Sequence, residues 1–330
     1  MQLNASVTEF ENLVNGTDTI LEKLNISKNI ISNFWQMLDR ANRVFITGTG
    51  TSYPNALFLE HKLQERLNRV VIFLPTAKMI RKSRSLNSRD LVIIISHGLN
   101  RADSLIIYNT CVEICDVVVI TGNEKFEEQK SNRLSIVIPP YKEKIFCRPV
   151  SPISTLLAIN ELFTNPINPN SIARYEKHKQ LTSWMDPFKQ LIILYTADMS
   201  YSAELWGIIL REGAGMNVSI KDIENYSHGY YGVDTANLAN RQFLILTSDS
   251  SMDIKDLDRA NGLYGIAGFN SYVLESKTGG DTFMANLSLF YEGPKLVLDI
   301  IKKTNFNMNE PNGMEENRKY HEYDRYENYI

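Results

Sequence analysis

The sequence predicts an α/β fold of two tandem subdomains, each a mostly parallel sheet flanked by helices. Short runs of valine and isoleucine alternate with segments of helix length, and such continuously apolar strands are typical of parallel sheets covered on both faces. A polar stretch with two prolines, at 165–170, interrupts this alternation, which then begins again. Each half of the chain is therefore expected to form an α-β-α sandwich.

The first half combines an N-terminal helical segment with a series of strands. Apolar residues spaced by three or four predict helix over 6–40. The segments between the strands have helix lengths, so we expect right-handed crossovers. The strands are predicted at Arg43–Thr47, Val70–Leu74, Leu91–Ser96, Val117–Thr121 and Ser135–Ile138.

The second half repeats this order of elements. Thr51–Leu57 lines up with Met199–Leu205, and each segment follows the first strand of its half, which favours an internal duplication. The predicted strands are Leu191–Tyr195, Val218–Lys221, Phe243–Thr247 and Tyr272–Leu274, and the predicted helices are Tyr201–Arg211 and Phe283–Lys303.

These elements divide the chain into five segments. The tail is polar, charged and rich in tyrosine, and three interpretations stay open for it: disorder, docking on a partner subunit, or a lid over the site. The predicted limits are 1–40 for the helical segment, 41–165 for the first subdomain, 166–187 for a linker, 188–304 for the second subdomain and 305–330 for the tail.

Composition excludes several classes of function. The formal net charge is −3 and no long basic run occurs, so nothing favours a nucleic-acid partner. The apolar runs are too short to cross a membrane, and the polar N-terminus is not typical of a secretory signal. The chain has only three cysteines, which suits the reducing cytoplasm. Cys111 and Cys115 have no nearby third or fourth ligand, so we expect buried side chains and no metal site.

Two turns are predicted to hold an anion. The first contains Gly50, Thr51 and Ser52 and follows the first strand, where glycine permits close backbone approach and the hydroxyls can bind a ligand or cap the next helix. The second follows the third strand and contains Ser96, His97, Gly98 and Arg101. Turns at neighbouring strand ends of a doubly wound sheet share one crevice. The guanidinium of Arg101 suits a phosphate or carboxylate, whereas His97 either touches the ligand or is structural.

This is not a dinucleotide site. The sequence contains no G-x-G-x-x-G motif, and Leu74-Pro75 stands where an acidic residue would end the second strand.

The two successive α/β halves, the sequence GTGTS at 48–52 and the serine-led turn before Ala102-Asp103 resemble the sugar isomerase (SIS) domain family. That family includes the isomerase domain of glucosamine-6-phosphate synthase and the fructosamine-phosphate deglycases. The resemblance implies that both turns bind a sugar or sugar phosphate. The family's second turn has the pattern S-x-S-x-x-T, but Gly98 and Arg101 replace its second serine and its threonine. Two hydroxyls are thus lost and a guanidinium is gained.

The resemblance also implies an acid–base pair. Glu212, at the end of a predicted helix, matches the glutamate that moves a proton between C1 and C2 of the sugar. His228, followed by a glycine, matches the histidine that helps to open the ring. Aldose–ketose interconversion removes a proton next to a carbonyl and returns it to the adjacent carbon, so it needs such a pair. A deglycase uses the same enolisation and then expels an amine.

Two family lysines are missing from this sequence. Ile209 stands three residues before Glu212, and Glu316 stands where a lysine is expected in the tail, although Arg318 or Lys319 could substitute for it. The family implies a homodimer with a shared active site and no metal or redox cofactor. An enzyme of this kind is the first hypothesis, and a sensor that binds a phosphosugar without turning it over is the second. The sequence leaves open which sugar, and which leaving amine, is involved.

Overall fold

The computed structural model of this chain forms two compact units. The N-terminal unit contains the described residues within 16–144 and 150–169, and the C-terminal unit contains helix α1 (Ala5–Asn15), residues 147–149 and the described residues within 170–306. The structure describes residues 5–99, 102–126, 129–140, 143, 147–164, 166–168, 172, 177–226, 238–250, 253, 255, 258 and 270–306.

The described residues of the N-terminal unit form one sheet with helices along it. The helices are α2 (Thr17–Leu21), α3 (Lys28–Arg40), α4 (Tyr53–Arg66), α5 (Thr76–Ser83), α6 (Ala102–Cys111) and α7 (Ser151–Glu161). The strands are β1 (Arg43–Gly48), β2 (Val70–Phe73), β3 (Asp90–Ile95), β4 (Asp116–Thr121), β5 (Gln129–Lys130) and β6 (Arg133–Val137).

The strand order in this sheet is β2-β1-β3-β4-β6-β5, and every pair is parallel except β5 with β6. Strands β1, β3 and β4 are buried along almost their whole length, as is typical of a parallel sheet covered on both faces. Phe45, Val92 and Ile94 of the sheet pack with Met79 of α5 and Ile107 of α6 in one buried cluster. The parallel sheet predicted for the first half is confirmed.

The described residues of the C-terminal unit form a second, fully parallel sheet in the order β10-β9-β7-β8. The strands are β7 (Gln190–Tyr195), β8 (Val218–Asp222), β9 (Arg241–Ser248) and β10 (Ser271–Ser276). The helices are α8 (His178–Trp184), α9 (Ser200–Ala214), the single turn α10 (Ile223–Asn225) and α11 (Thr282–Thr304). The predicted tandem α/β architecture is confirmed.

The predicted domain limits stay a prediction, although two features bear on them. The N-terminal helical segment consists of three helices, and α1 clusters with the C-terminal unit. The segment predicted as a linker at 166–187 contains α8, which lies against α11.

The three cysteines are buried, as the sequence predicts for Cys111 and Cys115. All three, Cys111, Cys115 and Cys147, are free. A hydrogen bond with Cys111 and burial both raise the pKa of the Cys115 thiol far above its ordinary value. In the part of the chain that the structure describes, no three His, Cys, Asp or Glu side chains are arranged to hold a metal ion. Nor is any helix there both long enough and apolar enough to span a bilayer.

Candidate active site

The two predicted anion-binding turns begin side by side. Strands β1 and β3 are adjacent and parallel, and Gly48, the last residue of β1, pairs with Ile95, the last residue of β3. The turns therefore leave the carboxyl edge of the sheet at the same level. The chain winds from β1 outward to β2 on one side and to β3 and β4 on the other, so this is the point where the winding direction reverses. Ligands of open α/β sheets bind at such a point.

The first turn leaves its hydroxyls available. Gly50 has φ +57°, a left-handed conformation that favours glycine, and a Cβ added there would meet no atom within 4 Å. Residues Gly50–Ser52 form a short 3₁₀ helix that leads into α4. Ser52 occupies the N-cap position of α4, but its side chain makes no capping hydrogen bond. Gly50, Thr51 and Ser52 are all partly exposed.

Close packing fixes the base of this turn. A Cβ at Gly48 would lie 3.0 Å from the Ser52 carbonyl oxygen and 3.3 Å from the Ile95 carbonyl oxygen. Asn55 of α4 is buried and donates from Nδ2 to the Pro152 carbonyl of α7 over 3.2 Å. The carboxylate of Glu143 accepts the backbone N–H groups of Val150 and Ser151, so the N-terminus of α7 is already satisfied by an anion of the chain itself.

The second turn is held by the imidazole of His97. Its Nε2 donates to the Pro140 carbonyl over 2.5 Å, because a carbonyl can only accept. The His97 side chain is buried, and a Cβ at Gly122 would lie 2.3 Å from Nε2. The His97 carbonyl accepts from Gly122 N–H and from Thr121 Oγ1. These contacts favour the structural role for His97. Ser96 and Gly98 are partly exposed, as a ligand contact requires.

Three supporting residues were not predicted from the sequence. Thr49 Oγ1 lies 3.2 Å from Thr76 Oγ1, at the start of α5, so the β1 and β2 ends are joined by hydroxyls. Asn123, after β4, donates from Nδ2 to the Gly98 carbonyl. The available signal was a polar residue directly after an apolar strand, which is common at strand ends.

The C-terminal unit carries the predicted proton-transfer residue. Glu212 lies in the last turn of α9 and is partly buried. Ile209, where the family has a lysine, is fully enclosed and cannot supply a cation. Glu204 is a second carboxylate on α9, and the sequence pattern did not single it out. Burial raises its pKa, and nearby Arg211 opposes that shift.

Several predicted residues lie outside the described part of the chain. These are Arg101 of the second turn, the ring-opening candidate His228, and Glu316 with the rest of the tail beyond residue 306.

Residues 37–164 match the family model of the SIS domain, which confirms the resemblance for that part of the chain. No curated protein sequence matches the chain. Solved structures do resemble it. The C-terminal domain of glucosamine-fructose-6-phosphate aminotransferase from Francisella tularensis has a TM-score of 0.72 at 13% identity, and the match covers 92% of this chain and 97% of that one.

Two further solved structures have the same fold. Tagatose-6-phosphate ketose/aldose isomerase from Escherichia coli has a TM-score of 0.69 at 15% identity, with 92% of this chain and 95% of that chain covered. Glucosamine-6-phosphate deaminase from Thermotoga maritima has a TM-score of 0.64 at 15% identity, with 92% and 97% covered. At such identities the likeness establishes the fold, that of phosphosugar isomerases, and nothing finer.

Proposed function

We propose that this protein is an aldose–ketose isomerase or a deglycase that acts on an amino sugar or an amine-linked phosphosugar by enolisation. The observation that carries the proposal is the pairing of Gly48 with Ile95, because it starts the two turns that carry Thr51, Ser52 and Ser96 at the same level of the sheet edge. Hydroxyls and backbone N–H groups in two neighbouring turns would suit the anionic end of a sugar phosphate. Solved relatives in fold include proteins named for ketose/aldose isomerisation and for deamination of phosphosugars.

The chemistry would divide between two kinds of residue. Glu212 would take a proton from one carbon next to the carbonyl and return it to the neighbouring carbon, passing through an enediol. His228 would exchange the ring-oxygen proton, since imidazole titrates near neutral pH. With Ile209 unable to stabilise the enediolate, backbone N–H groups or Arg101 would do so.

The altered second turn bears on the substrate. Gly98 and Arg101 replace two hydroxyl donors by one guanidinium, which binds phosphate or carboxylate through a fork of two N–H groups. Because His97 is engaged with Pro140, we assign it to positioning of this turn rather than to ligand contact. The anion would then be held chiefly by Thr51, Ser52, Ser96 and Arg101.

Two properties of the family complete the proposal. We expect a homodimer whose two chains both contribute to each active site. We also place the protein in the cytoplasm, because its three cysteines are buried free thiols. No metal or redox cofactor is required for the proton transfer that we propose.

A phosphosugar sensor is the second candidate function. It is favoured by the enclosed Ile209 in place of a lysine and by the loss of two hydroxyls in the second turn. A sensor needs the anion-binding turns and has no use for Glu212.

One experiment tests the proposal against this alternative. The protein is incubated in D₂O with ketose and aldose phosphates and with amine-linked sugar phosphates, and deuterium at C1 and C2 is followed by NMR. Incorporation at these carbons supports the enzyme, and release of an amine identifies the deglycase. Tight binding without incorporation for every sugar supports the sensor and contradicts the enzyme.

A further inference from the structure

The last turn of α9, which carries Glu212, and the residue that caps it pack closely against neighbouring side chains at two glycines, Gly213 and Gly215. A Cβ at Gly213 would lie 2.7 Å from Val297 Cγ1 of α11 and 2.9 Å from Cys147 Sγ. A Cβ at Gly215, where φ is +64°, would lie 2.3 Å from the Phe306 ring. Contacts under 3 Å are closer than carbon or sulfur atoms approach. A side chain at either position would therefore force the neighbouring side chains or the helix end to shift.

Glycine inside a helix needs a reason of this kind. It costs about 1 kcal/mol relative to alanine in an exposed helix, so its presence at 213 indicates a close approach. Cys147 lies on the other side of Gly213. Cys147 is buried, and its Sγ lies 3.9 Å from the Ile209 carbonyl of α9.

The rest of α9 packs against α11, and its contacts recur at matching positions along the two helices. Ser202 Oγ donates to Asn286 Oδ1 over 2.7 Å, and Trp206 Nε1 donates to the Leu289 carbonyl over 2.8 Å. A Cβ at Gly293 would lie 2.8 Å from Ile209 Cδ1, so α11 also uses a glycine at the contact. The two helices run in the same direction with matched positions, and the contact between residues 213 and 297 ends this series.

We infer that Gly213 is a positioning residue for Glu212. By carrying no side chain, it lets the last turn of α9 seat against Cys147 and Val297, and this seat sets where the adjacent carboxylate lies. The inference rests on the proposed function, since the role of Glu212 does. Displacement of a reacting group by about 1 Å costs on the order of 100-fold in rate. A methyl group at position 213 that displaced the Glu212 carboxylate by this distance would therefore lower the rate measurably.

The test compares Gly213→Ala with a variant that makes room for it. We expect Gly213→Ala to lower the kcat of deuterium exchange about 100-fold with little change in KM, because the anion-binding turns are untouched. Val297→Ala alone leaves a gap beside Gly213, so we expect a smaller loss of kcat than in Gly213→Ala. The double variant Gly213→Ala/Val297→Ala removes the 2.7 Å approach to Val297 and keeps the 2.9 Å approach to Cys147 Sγ, so it should regain part of the lost rate.

A second readout needs no turnover. The titration of the Glu212 carboxylate is followed by ¹³C NMR, and its resonance is assigned by its loss in Glu212→Gln. We expect the midpoint to move in Gly213→Ala and to shift back towards the wild-type value in the double variant. If wild type exchanges no deuterium, the proposed function fails while this titration still decides the positioning role.

Two results would overturn the inference. One is a Gly213→Ala protein with the wild-type exchange rate and titration midpoint. The other is a loss that Val297→Ala does not repair in the double variant, which would indicate general destabilisation. If Gly213→Ala does not fold, Val297→Ile provides a second test, because it adds a methyl group to the same contact from α11. We expect Val297→Ile to lower kcat and to move the titration midpoint of Glu212. Unchanged values of both would also overturn the inference.

Discussion

At the scale of single residues, backbone N–H groups stabilise the negative charge of one carboxylate. The Asp249 carboxylate, at the end of β9, accepts from the N–H groups of Thr278, Gly279 and Gly280 over 2.9–3.1 Å. Gly279 and Gly280 both have positive φ, which turns successive N–H groups toward one point. These hydrogen bonds, led by the one from Thr278, lower the pKa of Asp249.

This lowered pKa predicts an acid-dependent contribution to stability. Because the folded-state pKa lies below the unfolded value of about 3.9, the contribution is complete above that pH and is lost as the pH falls through the folded pKa. We expect Asp249→Asn to be less stable than wild type at pH 7, and the difference to shrink below about pH 4. Urea unfolding at several pH values measures it, with the exposed Asp39→Asn as control. A difference independent of pH would contradict the assignment.

Single residues also show what sequence can and cannot predict. The sequence correctly predicts that Gly50, Thr51 and Ser52 lie in a turn after the first strand, because a polar turn after an apolar strand is a local pattern. The role of His97 was left open because its partner, Pro140, lies 43 residues away. Gly122, which leaves room for the imidazole, carries no signal of its own without that contact.

At the scale of elements, α8 is attached to α11 through a buried acid. His178 Nδ1 lies 2.9 Å from Glu292 Oε2, and the His178 backbone N–H also donates to that oxygen. The Glu292 side chain is 1% exposed, and Lys295 Nζ lies 3.6 Å from its other oxygen. The imidazole therefore provides much of the polar surroundings of this carboxylate.

Removal of the imidazole should destabilise the C-terminal unit. We expect His178→Ala to lower the free energy of unfolding by about 3 kcal/mol, since it leaves a buried carboxylate short of a partner. Urea denaturation measures the loss. Lys179→Ala, on an exposed position of the same helix, should change it by less than about 0.5 kcal/mol. In the double variant His178→Ala/Glu292→Gln, part of the lost free energy of unfolding should be regained. Equal losses in His178→Ala, Lys179→Ala and the double variant would contradict the proposed role of the imidazole.

Elements were predicted best where burial dictates the residues. Strands β1, β3 and β4 were found almost to their ends because continuous Val and Ile runs are typical of strands buried on both faces. Helix α8 was assigned to a linker because its sequence, HKQLTSW, is short and polar. Its helical state depends on contacts with α11, such as that of His178, which no local pattern contains.

At the scale of the whole molecule, the two units repeat one topology. The order β8-β7-β9-β10 in the C-terminal sheet corresponds strand by strand to β2-β1-β3-β4 in the N-terminal sheet. This correspondence supports the internal duplication inferred from Thr51–Leu57 and Met199–Leu205. The alternation of strands and helices in the sequence predicts this strand order only in part. It does not show on which side of the growing sheet each new strand is added.

The proposed shared active site predicts complementation between inactive subunits. Glu212→Gln and His228→Ala should each abolish deuterium exchange. Mixing and reassembling equal amounts should restore about a quarter of the wild-type rate, because half of the dimers are mixed and each has one intact site. The rate after reassembly is the measurement, and Glu212→Gln reassembled with itself is the control. A mixture that stays inactive would show that both residues act from one chain, or that neither acts as proposed.

Separate groups are proposed to hold the sugar and to move its proton. The most direct test measures sugar-phosphate binding and deuterium incorporation in Ser52→Ala and Glu212→Gln side by side. We expect Ser52→Ala to weaken binding about tenfold, the equivalent of one hydrogen bond to a charged group, and to leave exchange measurable at saturation. We expect Glu212→Gln to bind as wild type does and to incorporate no deuterium. Wild-type incorporation by Glu212→Gln, or undiminished binding by Ser52→Ala, would contradict this division of roles.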